Sequence, residues 1–150
     1  MKKELSVSAI KEGTVIDHIP SDVTLKVADI LDLEGIKSII SIATNLDSKT
    51  MGKKGIIKIG GKDLTKEETD KIALIAPDAT VNIIQNYDVK KKIKVAIPLT
   101  VNKIIKCSNP NCLTNNEKVM TKFDVLNKVP LKVRCHYCER DMAKEDITLL

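Results

Sequence analysis

All four cysteines lie between residues 107 and 138, with the spacing Cys107-x4-Cys112, a gap of twenty-two residues, and Cys135-x2-Cys138. Two close-set pairs in this arrangement are typical of a zinc site, because each tight turn presents two thiolates to one ion. A catalytic zinc usually keeps one position open for water or substrate. Since protein ligands would fill all four positions here, we expect one structural zinc per chain. The alternative is two disulfide bonds, which the spacing and the lack of a secretory signal disfavour.

Basic side chains flank the cysteines. Four thiolates around a divalent ion carry a net negative charge, which nearby cations would offset, although each of these residues alone also fits an ordinary solvated surface. The residues concerned are Lys103, Lys106, Lys132, Arg134 and Arg140. His136 lies between two cysteines and could compete for the metal, but an exposed spacer is the expected role.

The length of 150 residues gives room for one domain or two small ones. We predict a boundary that separates residues 1–98 from residues 99–150. A segment of about fifty residues buries too little apolar surface to fold without an additional cross-link, and a bound zinc would supply that cross-link. The first domain is rich in Ile and Val and can build a core unaided.

The net charge of +5 is spread along the chain, with 16 basic and 14 acidic residues in 1–100 and 9 and 6 in 101–150. Nucleic-acid binders concentrate basic side chains and present stacking rings, whereas the only aromatic residues are Tyr87, Phe123 and Tyr137. A zinc-ribbon nucleic-acid-binding adaptor is therefore only the alternative. No stretch approaches the ~20 apolar residues of a bilayer span, and we expect a soluble, cytoplasmic protein.

No catalytic constellation is evident. The two histidines are His18 and His136, no serine has a G-x-S-x-G context, and the cysteines are assigned to metal. The glycines fit neither a P-loop nor a dinucleotide fingerprint. Any phosphate would be held by lysine side chains, and Lys58 and Lys92, on predicted neighbouring strands, are candidates. We therefore expect a protein that is not an enzyme.

The hydrophobic pattern predicts strands and helices in the order βαββαβ over the first domain. Strands are predicted at 14–19, 38–46, 55–59 and 80–85, helices at 21–33 and from Thr65 to Pro77, and an edge element at 87–95. This order predicts an α+β, ferredoxin-like sheet with both helices on one face and the other face free for a partner. A small antiparallel β domain with strands at 119–126 and 131–134 should follow, joined by a link at 99–105.

Local signals add detail to the first strand and to both helices. Strict alternation would direct Asp17 and His18 to opposite faces of the first strand. Ser21 or Asp22 is available to cap the first helix. The second helix should open with a capping box, formed by Thr65 and Glu68.

Five blocks of sequence, in one order and with matching spacing, resemble the regulatory chain of aspartate carbamoyltransferase. The blocks are GTVIDHIP at 13–20, MGKKGIIKI at 51–59, IALIAPDATVNII at 72–84, NYDV at 86–89 and CxNPNC at 107–112. The resemblance spans almost the whole chain. It implies a non-catalytic regulatory subunit in pyrimidine biosynthesis, which binds CTP, ATP and UTP as allosteric effectors, forms a regulatory homodimer through its first domain and docks on the catalytic chain through its zinc domain.

The resemblance also implies a set of nucleotide-binding residues. Main-chain groups can read the exocyclic amine of a base, a carboxylate can accept ribose hydroxyls, and ammonium groups can neutralise a polyphosphate. Val7, Ala9 and Ile10 would lie at the base, Asp17 at the ribose and Lys58 near the sugar and phosphates, with Asn82, Ile84, Tyr87, Val89 and Lys92 completing the pocket and Lys92 facing the triphosphate. His18 would lie near the phosphates or in a second nucleotide site, and a structural role is the alternative.

Docking on the catalytic chain is implied for Asn109, Asn111 and Glu139, which match positions that the family uses for that contact. Ser8 stands where some relatives carry Glu beside the base, and this departure bears on the preference among CTP, ATP and UTP. Arg140 replaces the Lys of some relatives and keeps its charge.

Overall fold

The structure, a computed structural model, describes residues 9–150. Val7 and Ser8 therefore lie outside the described residues. The chain forms two compact units that divide between Val95 and Ala96. Within residues 9–150, no helix is both long and apolar enough to cross a bilayer.

The first unit is built on one antiparallel sheet of five strands. The strands are β1 (Gly13–Pro20), β2 (Ile40–Ser48), β3 (Gly52–Gly60), β4 (Thr80–Gln85) and β5 (Asp88–Lys94), and they lie in the order β2-β3-β1-β4-β5. The first four have the ferredoxin-like order that the sequence predicts, and β5 extends it at one edge. The α+β class is therefore confirmed.

Two helices pack on one face of this sheet: α1 (Thr24–Ile30) and α2 (Lys66–Ile75). Fully buried Ile16, Ile57 and Ile59 form the core with Val27 and Ile72 of the helices. A Cβ atom at Gly55 would overlap the Thr24 side chain, so α1 approaches β3 closely at this point. The opposite face carries no helix among the described residues.

The helix starts differ in how well the sequence predicts them. The capping box of α2 is confirmed, because the Glu68 backbone N–H donates to Thr65 Oγ1 at 3.1 Å and the Thr65 N–H donates to the Glu68 carboxylate at 3.0 Å. The prediction for α1 is wrong at its start. Residues 21–23 form a 3-10 turn and Val23 is the N-cap without a side-chain bond, while the Ser21 hydroxyl instead accepts the Asn45 N–H.

A β-bulge interrupts β1 at Asp17 and His18, where the register with β3 shifts between Ile16 and Ile19. His18 has a φ of 58° and its N–H donates to Asp17 Oδ1 at 2.6 Å. The prediction that Asp17 and His18 point to opposite faces is therefore wrong, because the extra residue breaks the alternation. Both Ile16 and Ile19 are fully buried as a result.

A tight turn joins β4 to β5. Asn86 and Tyr87 both have positive φ, 51° and 67°, as a type I′ hairpin requires. The predicted edge element is confirmed as β5, and every residue of it is exposed.

The second unit contains a four-stranded sheet, a two-stranded sheet and a one-turn helix, α3 (Leu113–Asn116). The strands are β6 (Thr100–Asn102), β7 (Ile105–Lys106), β8 (Lys122–Lys128), β9 (Leu131–Cys135), β10 (Asp141–Ala143) and β11 (Thr148–Leu149), in the orders β10-β9-β8-β6 and β11-β7. The predicted link at 99–105 instead contains β6 and the start of β7. Phe123, Val133 and Met142 form the buried centre.

Candidate functional site

The structure brings all four cysteine sulfurs together in the second unit, each within 4.8 Å of the others. Cys107 Sγ lies 3.6 Å from Cys138 Sγ, and Cys112 Sγ lies 3.7 Å from Cys135 Sγ. A tetrahedron with zinc–sulfur bonds of about 2.3 Å has edges of about 3.8 Å, whereas a disulfide needs a separation of about 2.05 Å. All four cysteines are free thiols, so the disulfide alternative is wrong.

Two chain turns deliver the sulfurs: a first knuckle (residues 107–112) between β7 and α3, and a second knuckle (residues 135–138) between β9 and β10. In the first, the Cys112 N–H donates to the Asn109 carbonyl at 3.0 Å. In the second, the Glu139 N–H donates to the Cys135 carbonyl at 3.0 Å, and Glu139 adopts a φ of 62°. The short strands thus end where each pair of ligands begins.

The sulfurs differ in acidity. Burial raises the pKa of the Cys107 thiol to about 12 because it disfavours the thiolate, and it also raises the pKa of Cys135. Burial acts the same way on Cys138, but hydrogen bonds from the Arg140 backbone and the Asn109 side chain outweigh it and lower that pKa to about 7. A metal ion must therefore displace protons from at least Cys107 and Cys135.

Three of the cations near the cysteines contact oxygen atoms of neighbouring residues. Arg134 forms two hydrogen bonds to Asp141, at 2.6 and 3.2 Å, and Lys132 lies 3.5 Å from the same carboxylate. The Arg140 guanidinium donates to the Ser108 carbonyl in the first knuckle at 3.4 Å. His136 is exposed and makes an edge contact with Tyr137, as a spacer residue would.

A row of paired residues crosses the open face of the first unit's sheet. Lys58 on β3 pairs with Val15 on β1, which pairs with Asn82 on β4, which pairs with Lys92 on β5. Directly paired residues share a face, so Lys58 borders Val15 and Lys92 borders Asn82 on the same face. The prediction that Lys58 and Lys92 lie on neighbouring strands is wrong, because β1 and β4 separate them by three strand spacings, about 14 Å between Cα atoms.

The next row toward the β4–β5 turn contains Gly60, Gly13, Ile84 and Val89. Beyond it lies a cavity of about 410 Å³. The cavity is lined by Ala9, Ile10, Lys11, Glu12, Ser38, Ile39, Gly60, Gly61 and Tyr87. Three residues that the resemblance assigns to a nucleotide, Ala9, Ile10 and Tyr87, thus line one cavity, and Ile84 and Val89 lie in the adjacent row.

Asp17 and His18 lie at the other end of β1, where Asp17 pairs with Thr80. Lys54 Nζ contacts Asp17 Oδ1 at 2.9 Å, and His18 Nδ1 lies 3.1 Å from Thr80 Oγ1. Sequence reasoning missed Lys54 and Thr80. Their nearness to Asp17 and His18 depends on strand register and the bulge, and only the lysines of the 51–54 loop gave a hint.

The three residues with an implied docking role lie on the two knuckles. Asn111 and Glu139 are exposed, whereas Asn109 is half-buried. The Asn109 side chain faces its own knuckle, because its Oδ1 accepts the Asn111 N–H at 3.0 Å. Asn111 and Glu139 are therefore the more accessible of the three.

These features define a class of protein: an α+β domain joined to a small domain organised around a four-cysteine cluster that could hold a metal. Two family models match the chain, the allosteric domain of the aspartate carbamoyltransferase regulatory chain over residues 5–96 and the metal-binding domain of the same chain over residues 99–148. The chain belongs to the aspartate carbamoyltransferase regulatory chain family and is a non-catalytic subunit.

Relatives named aspartate carbamoyltransferase regulatory chain match over nearly the full length. That of Pyrococcus horikoshii is 58% identical over 146 residues, which cover 96% of each chain. That of Bacteroides fragilis is 47% identical over 149 residues, which cover 99% of this chain and 97% of the relative. The family resemblance is thus confirmed, and the nucleic-acid adaptor gains no support.

We predict that binding of one divalent, thiophilic ion at about pH 7 releases at least two protons, because the Cys107 and Cys135 thiols are protonated there and must become thiolates. Metal affinity should therefore rise with pH. Calorimetry in two buffers of different ionisation enthalpy counts the protons. Release of fewer than one proton per ion would contradict the assignment of these thiols as ligands.

Proposed function

We propose that this chain binds nucleoside triphosphates on the open face of its first domain and transmits that binding to aspartate carbamoyltransferase catalytic chains through its second, zinc-bound domain. The observation that carries the proposal is the row Lys58–Val15–Asn82–Lys92 beside the cavity of Ala9, Ile10 and Tyr87. The resulting coupling free energy between effector and catalytic sites would be ~1–3 kcal/mol, the usual range for allostery.

The row supplies what a triphosphate needs. Lys58 and Lys92 stand on either side of Val15 and Asn82, so two flexible ammonium groups can approach one anion from opposite sides. Asn82 is 9% exposed and its amide lies 3.4 Å from the Val15 carbonyl, which leaves its carbonyl oxygen as an acceptor. The polyphosphate of CTP, ATP or UTP would lie over this row.

The base would occupy the neighbouring cavity. Ala9 and Ile10 line it and would offer main-chain groups to the base, and Tyr87, which is 63% exposed, also lines it. Ile84 and Val89 form an apolar surface between cavity and lysines. We extend this pocket to Val7, on the basis of the resemblance.

Asp17 and His18 would contact the sugar or phosphate side. The Asp17 carboxylate already accepts from Lys54 and from the His18 N–H through Oδ1. Its Oδ2 lies 3.9 Å from His18 Nδ1, and this is the oxygen that would accept a ribose hydroxyl. The bulge therefore supports a role for both residues on one side of β1, with His18 near the phosphates or a second nucleotide.

We predict that Lys92→Ala weakens CTP and ATP binding about tenfold or more, because a charge-assisted contact to phosphate is lost. Lys91→Ala is the matched control, since Lys91 pairs with Ile83 and so belongs to the helix side of the same strand. Its effect should stay within about twofold. Calorimetry measures the CTP and ATP affinity of both variants. Equal losses of affinity in Lys91→Ala and Lys92→Ala would show that Lys92 is not part of the site.

Zinc is the metal that best suits the second domain. Four sulfurs within 4.8 Å of one another, with two of the separations at 3.6 and 3.7 Å, favour zinc over ions that prefer oxygen ligands. Cys107, Cys112, Cys135 and Cys138 would hold it, and its contribution would be to stabilise a 55-residue unit rather than to catalyse. Cysteines clustered to hold a metal rather than to form disulfides are typical of a reducing compartment, which supports a cytoplasmic location.

Docking on the catalytic chain is proposed for the surface formed by both knuckles. Asn111 and Glu139 are exposed there, and Asn109 would contribute through its backbone or by partial exposure. A carboxylate and amides can meet basic or polar groups across such a surface. Zinc would act indirectly, because it fixes the turns that carry these residues.

We predict that Glu139→Gln weakens docking of the zinc-saturated chain on the catalytic chain about tenfold, whereas Glu145→Gln, at another exposed glutamate of this domain, leaves it unchanged. Removal of the metal should abolish docking, because metal binding and folding of the knuckles are one equilibrium. Sedimentation of mixed chains measures both effects. Docking that survives complete metal removal would refute the role of zinc.

A regulatory homodimer is proposed at the β2 edge of the first domain. Leu25 and Ile42 are 67% and 42% exposed there, and both line a cavity of about 630 Å³ formed by the end of α1 and the segment after it. An unpaired strand edge with apolar side chains favours association. The β5 edge is unsuitable, because it carries four exposed lysines at 90, 91, 92 and 94.

We predict that Ile42→Lys converts the isolated chain from dimer to monomer, because it buries a charge in the interface. Ile93→Lys is the matched control, since Ile93 is 40% exposed and lies on the opposite edge strand. It should leave the dimer intact. Light scattering of the eluted species reads the mass, and a dimer that tolerates Ile42→Lys would exclude the β2 edge.

A further inference from the structure

Two adjacent asparagines follow the first knuckle on α3. Asn115 Nδ2 donates to the carbonyls of Cys107 and Asn109, at 2.9 and 2.7 Å. Asn116 Nδ2 donates to the carbonyls of Pro110 and Cys112, at 3.0 and 2.9 Å. A side-chain amide has two N–H donors. Both asparagines therefore use their full donor capacity on four carbonyls of one six-residue loop.

The first knuckle needs this support more than the second. The second has two residues between its cysteines, and backbone hydrogen bonds from Glu139 to Cys135 and from Cys135 to Arg140 close it. The first has four residues between its cysteines, and among the described residues the backbone bond inside it joins Cys112 to Asn109. Side chains donate to the carbonyls of Cys107, Ser108, Pro110 and Cys112 in the longer loop.

The helix that carries the asparagines also contacts a sulfur. Thr114 Oγ1 lies 3.2 Å from Cys112 Sγ. A helix of four residues has little stability of its own, so α3 and the first knuckle hold each other in place through these bonds. The orientation of Cys107 and Cys112 then depends on Asn115 and Asn116.

We propose that Asn115 and Asn116 are positioning residues of the metal site, which fix the first knuckle and thereby set how slowly the ion leaves. This inference rests on the proposed zinc site. Asn115 is half-buried and Asn116 is exposed, so water replaces the Asn116 bonds more easily. The contribution of Asn115 is therefore the larger. Groups that orient metal ligands typically change metal affinity 10–100-fold when they are removed.

The test measures zinc release from the full chain to an excess of a chromogenic chelator. Asn115→Ala should release zinc about 10–100-fold faster than the wild type. Asn115→Asp keeps the shape of the side chain but has no donor hydrogens when ionised, and it should be at least as fast as Asn115→Ala. Asn116→Ala should show a smaller acceleration.

Asn127→Ala is the matched control, because Asn127 Nδ2 also donates to a backbone carbonyl, that of Pro130 at 2.9 Å, but on the β8–β9 hairpin. Its release rate should stay within about twofold of the wild type. Equal acceleration in Asn127→Ala, or unchanged release in folded Asn115 variants, would overturn the proposal. If the Asn115 variants do not fold, the rate of Asn116→Ala decides. A wild type that binds no zinc would instead refute the zinc site itself.

Discussion

The clustering of four cysteine sulfurs, close enough to bind one metal ion, is the constraint on which the second domain depends. Its strands are two to seven residues long, and its buried centre is small. Such a unit gains little from apolar burial relative to the entropy of ordering it. A metal that joins the end of β7, the start of α3 and the β9–β10 turn therefore replaces the core that a larger domain would have. A metal bound at this centre would hold both knuckles as one fixed surface.

The candidate site of the first domain is formed in a different way, because strand register rather than a metal brings its residues together. Lys58, Asn82 and Lys92 come from three strands and are distant in sequence. Antiparallel pairing aligns them in one row, while the buried isoleucines fill the other face. Alternate side chains of the same strands thus form the candidate ligand face on one side of the sheet and the core on the other. The packing of the core therefore also fixes the strands that carry the lysine row.

The sequence predicted the elements whose signals are local. Cysteine spacing indicated the metal cluster, the Thr65–Glu68 pair indicated the start of α2, and breaker residues bounded the main strands. Features that depend on tertiary contacts were missed or misjudged. The ion pair of Lys54 with Asp17 follows from pairing across a bulge, and the Asn115 and Asn116 bonds follow from loop conformation. Strands as short as β6 and β7 have no periodic pattern to detect.

The bulge in β1 has a consequence for how this strand can vary. Ile16 and Ile19 are three positions apart yet both reach the core, so the strand changes phase once along its length. If residues 16–19 followed regular alternation without the bulge, Ile19 would face the solvent side. The side chains of β1 can therefore vary only where they keep this bulge, because the bulge directs both Ile16 and Ile19, the second of which leads toward α1, into the same core.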